Sequence, residues 1–135
     1  MCMLKFDGFV TSGLKKAGIF MKKNVYYKQY KDKLGFLPYA GTLNVKLKEE
    51  IEISVKDQIE EHLKKIEGND KFGAVYFIDA TLEANTEKEY GAILFPIKTT
   101  HNIDTLEFVS EKNLRKTLKL NDNDKITVII NYDVK

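Results

Sequence analysis

The sequence predicts a mainly β protein, a small barrel with α-helical insertions at its connections. Three observations carry that reading. Seven or so apolar segments of strand length are separated by residues that favour turns, chiefly Gly, Asn and Asp. Only two or three stretches show helical spacing, and they fall between strands. The chain has 135 residues, 43% hydrophobic and 31% charged, which suits one domain (1–135) around one core.

Taken in order, Lys5 to Ser12 reads as the first strand, with Phe6 and Val10 on one face and Gly8 as a bulge or point of close approach. Gly13 to Gly18 breaks it, and Ile19-Phe20-Met21 resumes as a short strand. Gly13-Leu14-Lys15-Lys16-Ala17-Gly18 is therefore a loop between strands. Its glycines let backbone amides close in on phosphates and its lysines supply charge, although an exposed turn with solvated lysines has the same composition. Asn24 caps a helix to about Leu34, with Tyr27, Tyr30 and Leu34 on one stripe and Gly35 as its left-handed stop. Pro38 and Gly41 bracket a bend, after which Leu43, Val45 and Leu47 alternate with Thr42, Asn44 and Lys46 in a strand.

Val55, Ile59, Leu63 and Ile66 then recur at helical spacing, which predicts a helix from Ser54 to Ile66, ended by Gly68-Asn69-Asp70. Phe72 to Leu82 and Tyr90 to Ile97 form a hairpin across a Glu/Asn/Thr turn. Lys98 to Thr105 is polar and aperiodic, hence a loop. Leu106 to Val109 is a short strand, Ser110 caps a helix to about Leu118, and Lys125 to Tyr132 is the closing strand.

The bulk numbers exclude several classes of function. Twenty-two basic and 20 acidic residues leave a formal charge of only +2, so totals argue for neither a nucleic-acid nor a membrane partner. The single cysteine, Cys2, rules out an internal disulfide framework and a Cys-based zinc site, in keeping with a cytoplasmic location. No basic segment precedes an apolar one at the start, and no apolar run approaches the ~18 residues of a membrane span. Gly-x-x-x-x-Gly-Lys-Ser/Thr and Gly-x-Gly-x-x-Gly are both absent, so a phosphate site would have to be built another way.

Strand alternation brings Thr42 and Asn44 out on one face, two residues apart. Two neutral oxygens at a rigid strand start can hold a hard cation such as Mg²⁺ when phosphates and waters complete its octahedron. The same pair is also ordinary solvated strand surface. His62 and His101 have no partners at metal-ligand spacing. Tyr26, Tyr27, Tyr30 and Tyr39 are aromatic surfaces suited either to stacking on a ring or to core packing.

The stretch Gly35-Phe36-x-Pro38-Tyr39-x-Gly41-Thr42-Leu43-Asn44 resembles the signature of the archaeal CTP-dependent riboflavin kinases. Ser12-Gly13-Leu14, Pro96-x-Lys98-Thr99-x-His101 and Leu114-Arg115 match further family segments in the same order. The resemblance implies a closed six-stranded, Greek-key-like cradle-loop barrel. It implies transfer of the γ-phosphoryl group of CTP to riboflavin, giving FMN and CDP. It assigns Mg²⁺ to Thr42 and Asn44, and the nucleotide to Gly13, Leu14, Lys15, Lys16, Ala17 and Gly18 together with Lys112, Asn113, Leu114 and Arg115. The flavin falls to Thr99 and Glu107, with Glu107 either accepting hydrogen bonds from ribityl hydroxyls or acting as base. Lys15 stands where the family pattern has a second glycine. A monomer without a nucleic-acid partner is expected, and no N-terminal helix-turn-helix domain such as some family members carry.

A different class stays open beside this one. The segment from Leu114 to Ile126 resembles the end of swapped-hairpin transcription-factor barrels, which are DNA-binding dimers with a Gly-Asp pair where this chain has Asn123-Asp124. Those chains are much shorter, and +2 offers no basic face. A flavin- or nucleotide-binding module without turnover is the third reading. The joint presence of Thr42, Asn44, Glu107 and Arg115 argues against such decay.

Overall fold

Seven strands and three helices lie in the computed structural model, which describes residues 2–12, 24–37, 39, 42–67, 75–95 and 103–132. They are β1 (Cys2–Thr11), α1 (Asn24–Leu34), β2 (Leu43–Ile51), α2 (Ile53–Glu60), β3 (Lys64–Ile66), β4 (Val75–Ala84), β5 (Glu87–Leu94), β6 (Ile103–Val109), α3 (Leu114–Thr117) and β7 (Lys125–Tyr132). Six strands pair antiparallel in the order β4-β5-β6-β2-β1-β7, and β7 returns to β4. The expected closed six-stranded barrel is therefore what the chain forms. No helix among the described residues is long and apolar enough to cross a membrane.

Closure depends on β4, which is paired along both edges. One edge follows β5 from Phe77 to Ala84. The other is divided: Val75 to Phe77 pair with β3, and Ala80 to Glu83 pair with β7. Such closure joins β7 back to β4 instead of leaving both as free sheet edges. The barrel interior is filled by Val10, Val45, Leu82, Phe108, Val128 and Ile130, all fully buried. Where β5 meets β6 the strands are so close that a Cβ on Gly91 would stand 2.0 Å from the Val109 carbonyl oxygen.

A second apolar cluster lies apart from this core. Tyr30 and Leu34 of α1 pack with Ile66, Phe77, Ala92 and Val109, and the Tyr30 and Phe77 rings meet edge to face at 6.2 Å. An isolated helix of 11 residues is marginal in water, so docking of this stripe, worth roughly 1.5–3 kcal/mol per large side chain, holds α1 in place. Gln29 adds a polar tie: its amide donates to the Glu67 carbonyl at 2.8 Å and accepts from the Glu67 N–H at 2.7 Å. Gly35 ends the helix at φ +82°, as its sequence position predicts.

Three boundaries differ from the sequence expectation. The helix predicted over Ser54 to Ile66 stops at Glu60, and Lys64–Ile66 is a strand. Its apolar stripe serves two different cores: Ile59 packs in the barrel cluster, and Ile66 under α1. Pairing with β4 outweighs the helical periodicity there. The predicted loop from Lys98 overlaps β6, which begins at Ile103. Finally, the helix expected from Ser110 is the single turn α3, capped by Asn113, whose Oδ1 accepts from the Lys116 N–H at 3.3 Å. The expected strand Ile19-Phe20-Met21 lies outside the described residues.

Two substitutions test this packing in opposite directions. Gly91→Ala should destabilise the fold by about 1–3 kcal/mol, because backbone rather than a movable side-chain tip meets the new methyl. Thr86, in the β4–β5 turn, has φ 66°, a region costly for a β-branched residue. Thr86→Gly should stabilise by about 1 kcal/mol. Urea unfolding midpoints measure both, and a neutral Gly91→Ala would contradict the close approach.

Candidate functional site

β2 lies between β1 and β6, and its register decides which side chains meet. Leu43, Val45 and Leu47 enter the barrel core. Alternation then turns Asn44 to the outer face, where the sequence predicts solvent. Asn44 is nevertheless only 5% exposed. In register it stands opposite Thr11 of β1 on one side and Glu107 of β6 on the other. Directly opposed side chains start about 5 Å apart, so Thr11, Asn44 and Glu107 form a polar row across three strands. The pairing thus brings Glu107, assigned to the flavin, beside Asn44, assigned to the metal. Glu107 is half-buried and engaged with other groups.

The preceding cross-strand pair, Leu43 with Phe108, lines a cavity of about 200 Å³. Its other walls are Tyr39 and Thr42 from the signature stretch and Ser110, Lys112, Asn113, Leu114 and Arg115 from the segment after β6. Two segments separated by some 70 positions, to which the family resemblance assigns the metal and the nucleotide, therefore share one cavity. Thr42 Oγ1 is buried and has no hydrogen-bond partner. A buried hydroxyl without a partner costs about 1–3 kcal/mol, so this oxygen fits a donor to a bound group. No cluster of three or more His, Cys, Asp or Glu able to hold a metal occurs among the described residues. A hard cation here would rely on the neutral oxygens of Thr42 and Asn44 and on the phosphates it accompanies.

Tyr39 fastens the two segments together. Its N–H donates to the Ser110 carbonyl at 2.7 Å, and its hydroxyl accepts from Asn113 Nδ2 at 3.3 Å. Its ring remains 45% exposed at the cavity, whereas Tyr30 is core. Asn113 is occupied on both ends of its amide, by Tyr39 and by the α3 cap, so in this arrangement it shapes the segment. Leu114 and Leu118 point into the barrel core, which leaves Leu114 only its backbone to offer a ligand. As a single turn, α3 contributes little helix dipole to the cavity, because a dipole grows with the number of aligned peptides.

The cations of the segment are each held by an acid that sequence reasoning did not single out. Lys112 Nζ meets Glu89 Oε1 at 3.2 Å. Arg115 Nη2 meets Asp122 Oδ1 at 2.6 Å and the Thr11 carbonyl oxygen at 3.4 Å. The Arg115 guanidinium, and after it the Ser12 hydroxyl, hold the Asp122 carboxyl below its ordinary value. Neither Glu89 nor Asp122 belongs to a motif; only the barrel register and the α3–β7 link bring them here.

Gly13, Leu14, Lys15, Lys16, Ala17, Gly18, Thr99, Pro38, Gly41 and His101 lie outside the described residues. His62 is half-buried in the turn after α2 and engaged with other groups. A larger cavity, about 480 Å³, lies between β1, β7 and the β4–β5 hairpin and contains none of the predicted site residues. Its ionisable lining cancels, with Asp7, Glu83 and Glu87 against Lys48, Lys88 and Lys125. The smaller cavity is lined by two cations, Lys112 and Arg115, and by no acid; their partners Glu89 and Asp122 stand outside its lining.

The family model for CTP-dependent riboflavin kinases, described as "Domain of unknown function DUF120", matches residues 10–130. A protein of Methanosphaera stadtmanae is 54% identical over 130 residues, covering 95% of this chain and 98% of the relative. One from Methanobrevibacter smithii is 43% identical, covering 93% and 98%, and one from Methanothermobacter thermautotrophicus is 41% identical, covering 90% and 94%. All three carry the name riboflavin kinase.

The Arg115–Asp122 pair sets a pH expectation. A carboxyl whose folded value is depressed adds stability above its unfolded value, about 3.9, and loses it as pH falls through the lower folded value. Carbon-13 titration of Asp122 should give a midpoint below that ordinary value, returning towards it in Arg115→Ala. An ordinary midpoint in the unsubstituted protein would contradict the pair.

Proposed function

The chain belongs to the archaeal CTP-dependent riboflavin kinase family, and from that premise we propose that it transfers the γ-phosphoryl group of CTP to the 5′-hydroxyl of riboflavin. The observation that carries this reading is the single cavity that Thr42, whose buried hydroxyl has no partner, lines together with the Lys112 to Arg115 segment. A phosphoryl transfer demands little covalent chemistry from the protein; it needs the phosphates, a metal and an acceptor hydroxyl held in line.

In this reading Lys112 to Arg115 bind the nucleotide phosphates, together with the Gly13 to Gly18 segment that the family resemblance assigns to them. Arg115 supplies a planar fork of donors and Lys112 a mobile charge. Thr42 and Asn44 hold Mg²⁺, which supplies neutralisation of the phosphate charge. Thr99 and Glu107 take the flavin. Glu107, one strand from Asn44, orients the attacking hydroxyl and receives its proton as the new P–O bond forms and CDP departs. The donor preference for CTP comes with the family alone.

Riboflavin should yield FMN with CTP and Mg²⁺, and neither ATP, GTP nor UTP should replace CTP; chromatographic separation of the flavins reads this. FMN with ATP would keep the kinase and overturn the donor. No FMN with any donor would overturn the kinase reading. Thr42→Val separates chemistry from folding. It removes a buried, unpaired hydroxyl while keeping shape, so stability should hold or rise by up to about 1 kcal/mol. Turnover should fall at least about tenfold, the scale of one lost metal or phosphate contact. Full activity in Thr42→Val would sink the metal assignment.

A further inference from the structure

Asp122 lies in the link between α3 and β7, outside every segment assigned above to a ligand. Its Oδ1 accepts from Arg115 Nη2 at 2.6 Å, and its Oδ1 and Oδ2 accept from the Ser12 hydroxyl at 3.2 and 3.0 Å. The same Nη2 reaches the Thr11 carbonyl oxygen at 3.4 Å. One carboxylate thus gathers a cation of the Lys112 to Arg115 segment and the residue immediately before Gly13.

The backbone that presents Asp122 is itself anchored. Asn121 N–H donates to Asp124 Oδ2 at 2.8 Å. Asn123 N–H donates to the Val10 carbonyl at 2.7 Å, and Val10 N–H donates to the Asp124 carbonyl at 2.9 Å, extending the β1–β7 pairing through the link. Asn123 accepts φ 74° to make this path, a conformation Asn tolerates better than most residues. The carboxylate is therefore held by a stiff scaffold, and it uses one amino group of a guanidinium that has five N–H donors. Contacts of Nη2 to both Asp122 and Thr11 fix one corner of the planar fork.

We propose that Asp122 is a positioning residue for the nucleotide: it locks Arg115 against the end of β1, so that the guanidinium meets the phosphates in one fixed orientation. The inference rests on the proposed kinase reading. Its sign is distinctive. A carboxylate near a polyphosphate repels it, so if Asp122 acted through charge alone its removal would tighten nucleotide binding. If it positions Arg115, removal weakens binding.

The test compares Asp122→Ala and Asp122→Asn with the unsubstituted chain. Asp79→Asn, which breaks the exposed Lys64–Asp79 pair between β3 and β4, is the control for loss of a surface ion pair. Asp122→Ala should raise the nucleotide KM about tenfold, the scale of a lost charge-assisted hydrogen bond, with riboflavin KM and kcat within about twofold. Asp122→Asn, which still offers Ser12 an acceptor oxygen, should show a smaller rise; it carries the test if the alanine variant fails to fold. Calorimetric titration with CDP and Mg²⁺ should show the same loss without turnover, and Asp79→Asn should show none. An unchanged or lower nucleotide KM in an active Asp122 variant would overturn the positioning role alone. An unsubstituted chain that neither turns over nor binds CDP would overturn the kinase reading and this inference with it.

Discussion

The register of β2 between β1 and β6 is the constraint on which the rest of the site depends. Because the barrel closes through β4 and β7, neither edge of β2 is free to shift. A slip of one residue would send Leu43, Val45 and Leu47 outward and Asn44 into the apolar interior. Burial of the three apolar side chains therefore fixes where the two polar ones stand. The same register sets Glu107 opposite Asn44 and Phe108 opposite Leu43, so cavity and polar row are consecutive rungs of one ladder. Core packing and site geometry are one decision here.

Connections complete what the strands begin. The signature stretch between α1 and β2 supplies Tyr39 and Thr42, and the segment between β6 and α3 supplies Lys112 and Asn113; Tyr39 hydrogen-bonds both its neighbours Ser110 and Asn113. The α3–β7 link adds Asp122 and thereby Arg115. Both cations of the segment are paired inside the protein, which keeps them oriented without leaving bare charge. Exposed ion pairs contribute little to stability, so these two matter for the orientation they impose on the cations.

Much of the barrel was legible because its signals are local. Gly35 at φ +82°, the Asn85-Thr86 turn and the strand from Lys125 to Tyr132 are where turn chemistry and alternation place them. The helix over Ser54 to Ile66 misled because Val55, Ile59, Leu63 and Ile66 keep helical spacing while serving two separate cores, and only tertiary pairing reveals the break at Glu60. The cap at Asn113 was hidden for a similar reason, since Ser110 is an equally good capping residue by type. At the candidate site, Thr42, Asn44, Glu107 and Arg115 were singled out through the family resemblance. The burial of Asn44 was not, since alternation alone assigns its face to solvent. Glu89 and Asp122 were assigned no role by any motif; their contacts with Lys112 and Arg115 become visible only when the chain is folded.

The proposed activity requires that metal and nucleotide meet in the cavity shared by Thr42 and Arg115. The direct measurement is amide NMR with CDP present and Mn²⁺ substituted for Mg²⁺, reading paramagnetic broadening residue by residue. Broadening centred on Thr42 and Asn44, spreading next to Lys112 through Arg115, is the predicted result. Broadening centred on Lys48, Glu83 and Lys125 would place the ligand in the larger cavity and contradict it.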